Sequence, residues 1–96
     1  MRIISYGKIR EFTEKYPDSK NWLDNWYSVI SKTDYVSFSD LRKAFPSADT
    51  VEKFTVFNVK GNHYRLITAI HYNTKMIYIR HILTHTEYDK NKWRDD

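Results

Sequence analysis

The 96-residue chain contains no cysteine, so neither a disulfide framework nor a thiolate metal site can be built from it. Nor is there a run of about 18 apolar residues that could span a bilayer. The opening MRIISYGKIREF lacks the apolar stretch of a secretory signal. No repeat, linker or low-complexity segment breaks the chain. The expectation is a soluble, cytoplasmic protein with residues 1–96 forming one domain.

What is present is enough for a core. Apolar residues make up 41% of the chain and aromatic residues 17%, which excludes disorder as the default. The formal net charge is +4, and the excess lies mostly in the second half. Residues 51–96 hold eight Lys/Arg against five Asp/Glu, and all four histidines. A basic surface favours polyanions, because each phosphate contact releases condensed counterions. Charge alone more often marks an ordinary solvated surface.

The pattern reads as a short strand, three helices and then strands. Arg2-Ile3-Ile4-Ser5 is strand-like, and Ser5 is placed to cap a helix carrying Ile9, Phe12 and Tyr16. Tyr16-Pro17-Asp18 breaks that helix, and Asp18 or Ser19 starts the next. Leu23, Trp26, Tyr27 and Ile30 mark its inner face, with Trp22 and Val29 beside them. Ser37 and Asp40 resemble a capping box for a third helix carrying Phe38, Leu41 and Phe45, which Pro46 ends. The polar stretch Glu87–Asp96 is expected to fray or to add one helical turn.

Phe54–Val59, His63–Tyr72 and Met76–Thr84 alternate as strands do, joined by Lys60-Gly61-Asn62 and Asn73-Thr74-Lys75. A first turn on Gly61-Asn62 pairs Val59 with Tyr64, Asn58 with Arg65, Phe57 with Leu66 and Val56 with Ile67. A second on Asn73-Thr74 pairs Ile70 with Ile77, Thr68 with Ile79, Ile67 with Arg80 and Arg65 with Ile82. Paired residues share a face. Phe57, Val59, Tyr64, Leu66, Ile70, Ile77, Ile79 and Leu83 then form a floor for the helices. Val56, Asn58, Arg65, Ile67, Ala69, His71, Tyr78, Arg80 and Ile82 form the other face. His81 falls on the floor side, where it fits poorly. The expected class is α+β: a short N-terminal strand, three helices, then an antiparallel three-stranded meander with the helices on one face.

This register makes Arg65 and Arg80 diagonal neighbours on the outer face, flanked by Asn58 and Tyr78. Two guanidiniums so close suit an intervening phosphate, although pairing with carboxylates or exposure to water would also satisfy them. Thr84-His85-Thr86-Glu87-Tyr88-Asp89 follows at the rim of that face. It offers groups that transfer protons when a 2′-hydroxyl attacks the adjacent phosphorus, since an unperturbed histidine titrates near ~6.5. A capping threonine followed by ordinary surface polar residues is the bland alternative. His63, His71, His81 and His85 have no recognised zinc-ligand spacing.

Val56-Phe57-Asn58-Val59, Gly61-Asn62 and Tyr64-Arg65-Leu66 together resemble the strand-turn-strand signature of HigB-type toxins, within the RelE-like superfamily. Tyr78-Ile79-Arg80 and Thr84-His85-x-Glu87-Tyr88-Asp89 are similar to the closing motif of that family. Arg2-Ile3-Ile4 and Phe45-Pro46-Ser47-Ala48-Asp49 extend the resemblance over nearly the whole chain.

The resemblance implies the toxin of a type II toxin–antitoxin pair, an endoribonuclease that cleaves mRNA, in many relatives on the ribosome. It implies no metal and no organic cofactor. The implied partners are a cognate antitoxin, usually a helix-turn-helix DNA-binding protein, together with mRNA and the ribosome, and no membrane. Arg65 and Arg80 would grip the scissile phosphate, and His85 would exchange a proton with the 2′-hydroxyl or the leaving oxygen. Tyr88 would stack on the substrate or serve as the second proton-transfer group. Asn58 and Asn62 would orient sugar or base, while Glu87 and Asp89 would orient His85 and the tail. Better-studied RelE-like toxins carry strand lysines where this chain has Val56 and Asn58. Lys53, Lys60 and Lys90 are the candidate replacements and RNA contacts. A ribosome or RNA binder that blocks translation without cutting would use the same arginines and aromatics. A purely protein-binding module would not depend on that face.

Overall fold

A computed structural model describes residues 1–95. The chain runs β1 (Arg2–Ile4), α1 (Gly7–Lys15), a 3₁₀ turn (Pro17–Ser19), α2 (Lys20–Lys32), α3 (Phe38–Ala44) and β2 (Asp49–Val51). It continues through β3 (Phe54–Val59), β4 (Tyr64–His71), β5 (Met76–Thr84), α4 (His85–Asp89) and a final 3₁₀ turn (Lys92–Asp95). The expected meander is β3-β4-β5, and two short strands extend it. The sheet order is β1-β5-β4-β3-β2, with β1 parallel to β5 and the other pairs antiparallel. Among the described residues no helix is long and apolar enough to cross a membrane.

The helices α1, α2 and α3 cover one face of the sheet. Ile9 and Phe12 of α1, Leu23, Trp26 and Ile30 of α2, and Leu41 of α3 bury against Phe57, Val59, Leu66, Ile77 and Ile79. Tyr27, expected on the inner face of α2, remains 38% exposed at its edge and packs edge-on against Tyr6. The caps are partly as expected. Ser37 accepts from the Asp40 backbone N–H, but the Asp40 carboxylate accepts from Val36 rather than from Ser37. Ser5 does not cap α1. It adopts a left-handed φ of 73° to turn the chain out of β1, and Tyr6 takes the cap position without a side-chain bond.

The first hairpin has the expected register, Val59 opposite Tyr64 through Val56 opposite Ile67. The second departs from it. Ile70 pairs with Ile77 and Thr68 with Ile79, but Ile67 then pairs with His81, Leu66 with Ile82 and Arg65 with Leu83. One residue, Arg80, is bulged out. An unbroken strand would instead drive the His81 imidazole into the apolar floor, among the isoleucines beneath the helices. The bulge turns His81 to the outer face, returns Ile82 to the main core and moves Leu83 outward.

That shift creates a second apolar cluster on the outer face. Phe54, Val56 and Ile67 are buried there beneath Trp93, with Leu83 and Tyr88 packed around them. The polar C-terminal stretch therefore does not simply fray. It forms α4 and the final turn and folds back over the sheet, with Trp93 4% exposed. Asp96, the last residue of that stretch, lies outside the described residues.

A polar contact pins the α1–α2 corner to the first hairpin. Tyr64 donates to Asp18 at 2.7 Å, and Lys60 pairs with the other carboxylate oxygen at 3.0 Å. The two donors hold the Asp18 carboxyl below its ordinary range. Its bond to Asp18, ahead of burial, pushes the Tyr64 phenol up to about 12. A raised folded value means that this contribution to stability is complete below pH 10.0, the ordinary tyrosine value, and lost on approaching about 12. The depressed Asp18 value works in the opposite direction. Its contribution is complete above 3.8 and lost as the pH falls further.

Two measurements check this packing. Leu66→Ala is expected to lower the unfolding free energy by about 2–5 kcal/mol in denaturant titration, because Leu66 is wholly enclosed between helices and sheet. In an NMR pH titration Tyr64 should be a late-ionising tyrosine, and Asp18→Asn should bring it back towards 10.0.

Candidate functional site

The outer face at the β4–α4 junction gathers Arg65, Tyr88 and His85. Arg65 is half-buried at the start of β4, opposite Asn58 on β3. Its Nη1 donates to the carbonyls of Asn62 and Tyr64 at 3.2 and 3.1 Å, and Nη2 reaches Asn62 Oδ1 at 3.4 Å. These are neutral acceptors, so the guanidinium keeps its charge uncompensated by them while its direction is restrained.

Above it, the Arg65 guanidinium carbon lies 5.3 Å from the centroid of the Tyr88 ring. Tyr88 stacks in turn on Trp93, at 5.1 Å and 14° between planes. Trp93 Nε1 donates to the Tyr88 carbonyl at 3.0 Å. Trp93 also packs edge-on against Phe54, which anchors the stack in the second core. A cation over an aromatic face is attracted by the ring quadrupole, and the contact holds guanidinium and phenol together.

The helix α4 carries His85 and Tyr88 one turn apart. Its start is fixed by a full capping box: Thr84 Oγ1 accepts from Glu87 N–H, and the Glu87 carboxylate accepts from Thr84 N–H at 2.9 Å. That backbone bond is the main reason the Glu87 carboxyl lies below its ordinary range. Glu87 thus serves the helix rather than the imidazole. Asp89 does meet His85, with Oδ2 3.0 Å from Nδ1. The His85 backbone N–H donates to the carbonyl of His63 at 3.2 Å, tying α4 to the first hairpin turn.

The remaining sequence candidates separate. Arg80 is not the diagonal neighbour of Arg65, because the bulge removes it from the ladder. It lines an outer groove with Lys8, Glu11 and Lys15 of α1, and its carbonyl accepts from Lys8 Nζ at 2.9 Å. Asn58 and Asn62 do adjoin Arg65, by strand pairing and by hydrogen bond. Lys60 is committed to Asp18 on the far side of the hairpin. Lys53 lies over the Phe54 ring, and Lys90 lines a cleft with His81, Leu83, Glu87, Lys92 and Trp93. Val56, where the resemblance led to the expectation of a missing strand lysine, is buried in the second core. Among the described residues no three His, Asp or Glu side chains converge as a metal-ligand group. Trp93 is the residue that sequence reasoning missed. Its signal was one large aromatic in an otherwise charged tail.

With this geometry in place, the chain matches the HigB_toxin family, the RelE-like toxic component of a toxin-antitoxin system, over residues 19–91. The chain belongs to this family. The mRNA interferase HigB of Escherichia coli O6:H1 is 38% identical over 93 residues, 94% of this chain and 90% of that protein. The mRNA interferase toxin HigB of Escherichia coli K12 and the mRNA interferase HigB of Shigella flexneri are each 34% identical over 92 residues. Those matches span 93% of this chain and 88% of each relative. Membership in the HigB toxin family makes a cognate antitoxin the partner of this chain.

The stack makes Trp93 the support of the site. Trp93→Ala is expected to cost about 3–5 kcal/mol. It should also remove the upfield ring-current shifts that Tyr88 experiences, measured by NMR, while the helices on the opposite face keep their circular dichroism.

Proposed function

We propose that the chain is an endoribonuclease that cleaves mRNA, using the 2′-hydroxyl of the RNA as nucleophile. The observation that carries this reading is the convergence of Arg65, Tyr88 and His85 within one helical turn and one cation–π contact. Arg65 receives the scissile phosphate and stabilises the added negative charge of the pentacoordinate state. The 2′-oxygen forms its bond to phosphorus as the bond to the 5′-oxygen breaks, leaving a 2′,3′-cyclic phosphate and a 5′-hydroxyl. His85 and Tyr88 divide the proton transfers, one taking the 2′-hydroxyl proton and the other delivering a proton to the leaving oxygen. Asp89, bound at His85 Nδ1, directs the other ring nitrogen outwards. Asn58 and Asn62 adjoin the arginine and orient sugar or base.

The bulge moves Arg80 to a supporting role. With Lys8 and Lys15 it forms a positive rim that RNA meets beside α1. Lys53 and Lys90 extend the basic surface around the second core. The proposed setting is the cytoplasm, with the translating ribosome presenting the message and a helix-turn-helix antitoxin as the inhibitor. The names of the relatives, mRNA interferases, support the reaction class.

One observation favours a second reading. Val56 occupies a lysine place and is buried, so a lysine base is absent there. A binder that stalls translation without cutting would tolerate this.

Cleavage kinetics separate the two. His85→Gln is expected to slow cleavage by ~10²–10⁴-fold while leaving RNA binding in place, measured by primer extension beside filter binding. Tyr88→Phe tests the phenol alone, since the ring remains over Arg65. The double variant should lose less than the product of the single losses if the two act as a unit. Wild-type rates in both single variants would remove their proton-transfer roles.

A further inference from the structure

Asn62 also lines an open cleft of about 450 Å³ between α2, the α3–β2 connection and the first hairpin turn. Trp22, Trp26 and Phe45 supply aromatic walls, and Asn25, Ser47 and Asn62 supply polar groups. Among the described residues no charged side chain lines it. A neutral lining in a basic protein does not suit a phosphate or a carboxylate. Rings with amides between them suit a flat, uncharged group that both stacks and hydrogen-bonds.

The floor of the cleft supplies an independent observation. Trp26 is 0% exposed and is held edge-on by Phe57 at 5.5 Å. Its Nε1–H is buried and finds no acceptor among the described residues. An indole N–H can only donate, and a buried donor left unpaired is unfavourable. An acceptor on a group that presses into the cleft would satisfy it.

We propose that the cleft binds one base of the RNA, that of the nucleotide adjoining the phosphate held at Arg65, with an acceptor on the base edge meeting the Trp26 indole N–H. The inference rests on the ribonuclease reading above and assigns part of its substrate selectivity to this cleft. Asn62 links the two sites. Its backbone carbonyl and Oδ1 accept from Arg65, and the same residue lines the cleft.

Two experiments on the full chain test this. In the first, ¹H–¹⁵N spectra follow the Trp26 indole during titration with a 2′-O-methyl RNA hexamer, and with the same hexamer abasic beside the target phosphate. The intact hexamer should shift the Trp26 indole resonance downfield and the abasic one should not, while the Arg65 side-chain resonance responds to both. An Arg65 response with an unmoved Trp26 indole would overturn the cleft and leave the nuclease reading standing. No response at either residue would overturn both. In the second, cut sites are sequenced for Asn25→Leu and Ser47→Ala. Base preference at one position beside the cut should broaden, with the preferred site cleaved ~10-fold more slowly. An unchanged preference at the wild-type rate, or loss of antitoxin binding with preference intact, would overturn the proposal.

Discussion

An imidazole cannot be buried cheaply among isoleucines, and the path of β5 follows from that constraint. Ile79 and Ile82 both belong to the floor beneath the helices, yet they are three residues apart and regular alternation would separate them. Bulging out Arg80 reconciles the two and keeps His81 off the floor. The same shift turns Leu83 outward beside Val56 and Ile67. The outer face thereby gains a contiguous apolar patch of Phe54, Val56, Ile67 and Leu83. Trp93 and Tyr88 cover it.

From this covering comes the site. Tyr88 is stacked on Trp93 and lies over Arg65, so an apolar packing requirement places a phenol against a guanidinium. The capping box at Thr84 and Glu87 sets the direction in which α4 leaves β5, and therefore the positions of both His85 and Tyr88. Arg65 is steered by carbonyl oxygens rather than by a carboxylate, which preserves its charge for an anionic substrate. Nothing in the arrangement depends on a long loop. The groups arise from a strand, a helix start and a packed tail, elements rigid enough to hold a geometry before substrate arrives.

Much of this was legible in the residues. Gly61-Asn62 fixed the first hairpin because a left-handed φ is needed there, and Gly61 adopts 67°. The apolar spacing of Ile9, Leu23, Trp26, Ile30 and Leu41 identified the helical faces that pack on the sheet. The N-terminal strand was legible, but Asp49–Val51 was not: it is short and polar, and pairs only because β3 offers it an edge. The bulge was visible only as the misfit of His81, since period-2 alternation has no means of announcing an extra residue. With it went the expected diagonal approach of Arg65 and Arg80. Trp93 was hidden by its charged neighbours, although a single buried indole is enough to hold a tail down. Within the candidate site, Arg65, His85 and Tyr88 were visible as residue types, and their convergence depended on packing that local patterns do not encode.

The central claim is that this outer face cuts RNA and that Arg65 is indispensable to the cut. The most direct measurement is transcriptome-wide mapping of 5′-hydroxyl RNA ends shortly after induction of the wild-type chain and of Arg65→Ala at equal protein level. The account predicts new ends within translated messages for the wild type and none above background for the variant. Translation arrest by the wild type without new ends, or the same ends from the arginine variant, would contradict it.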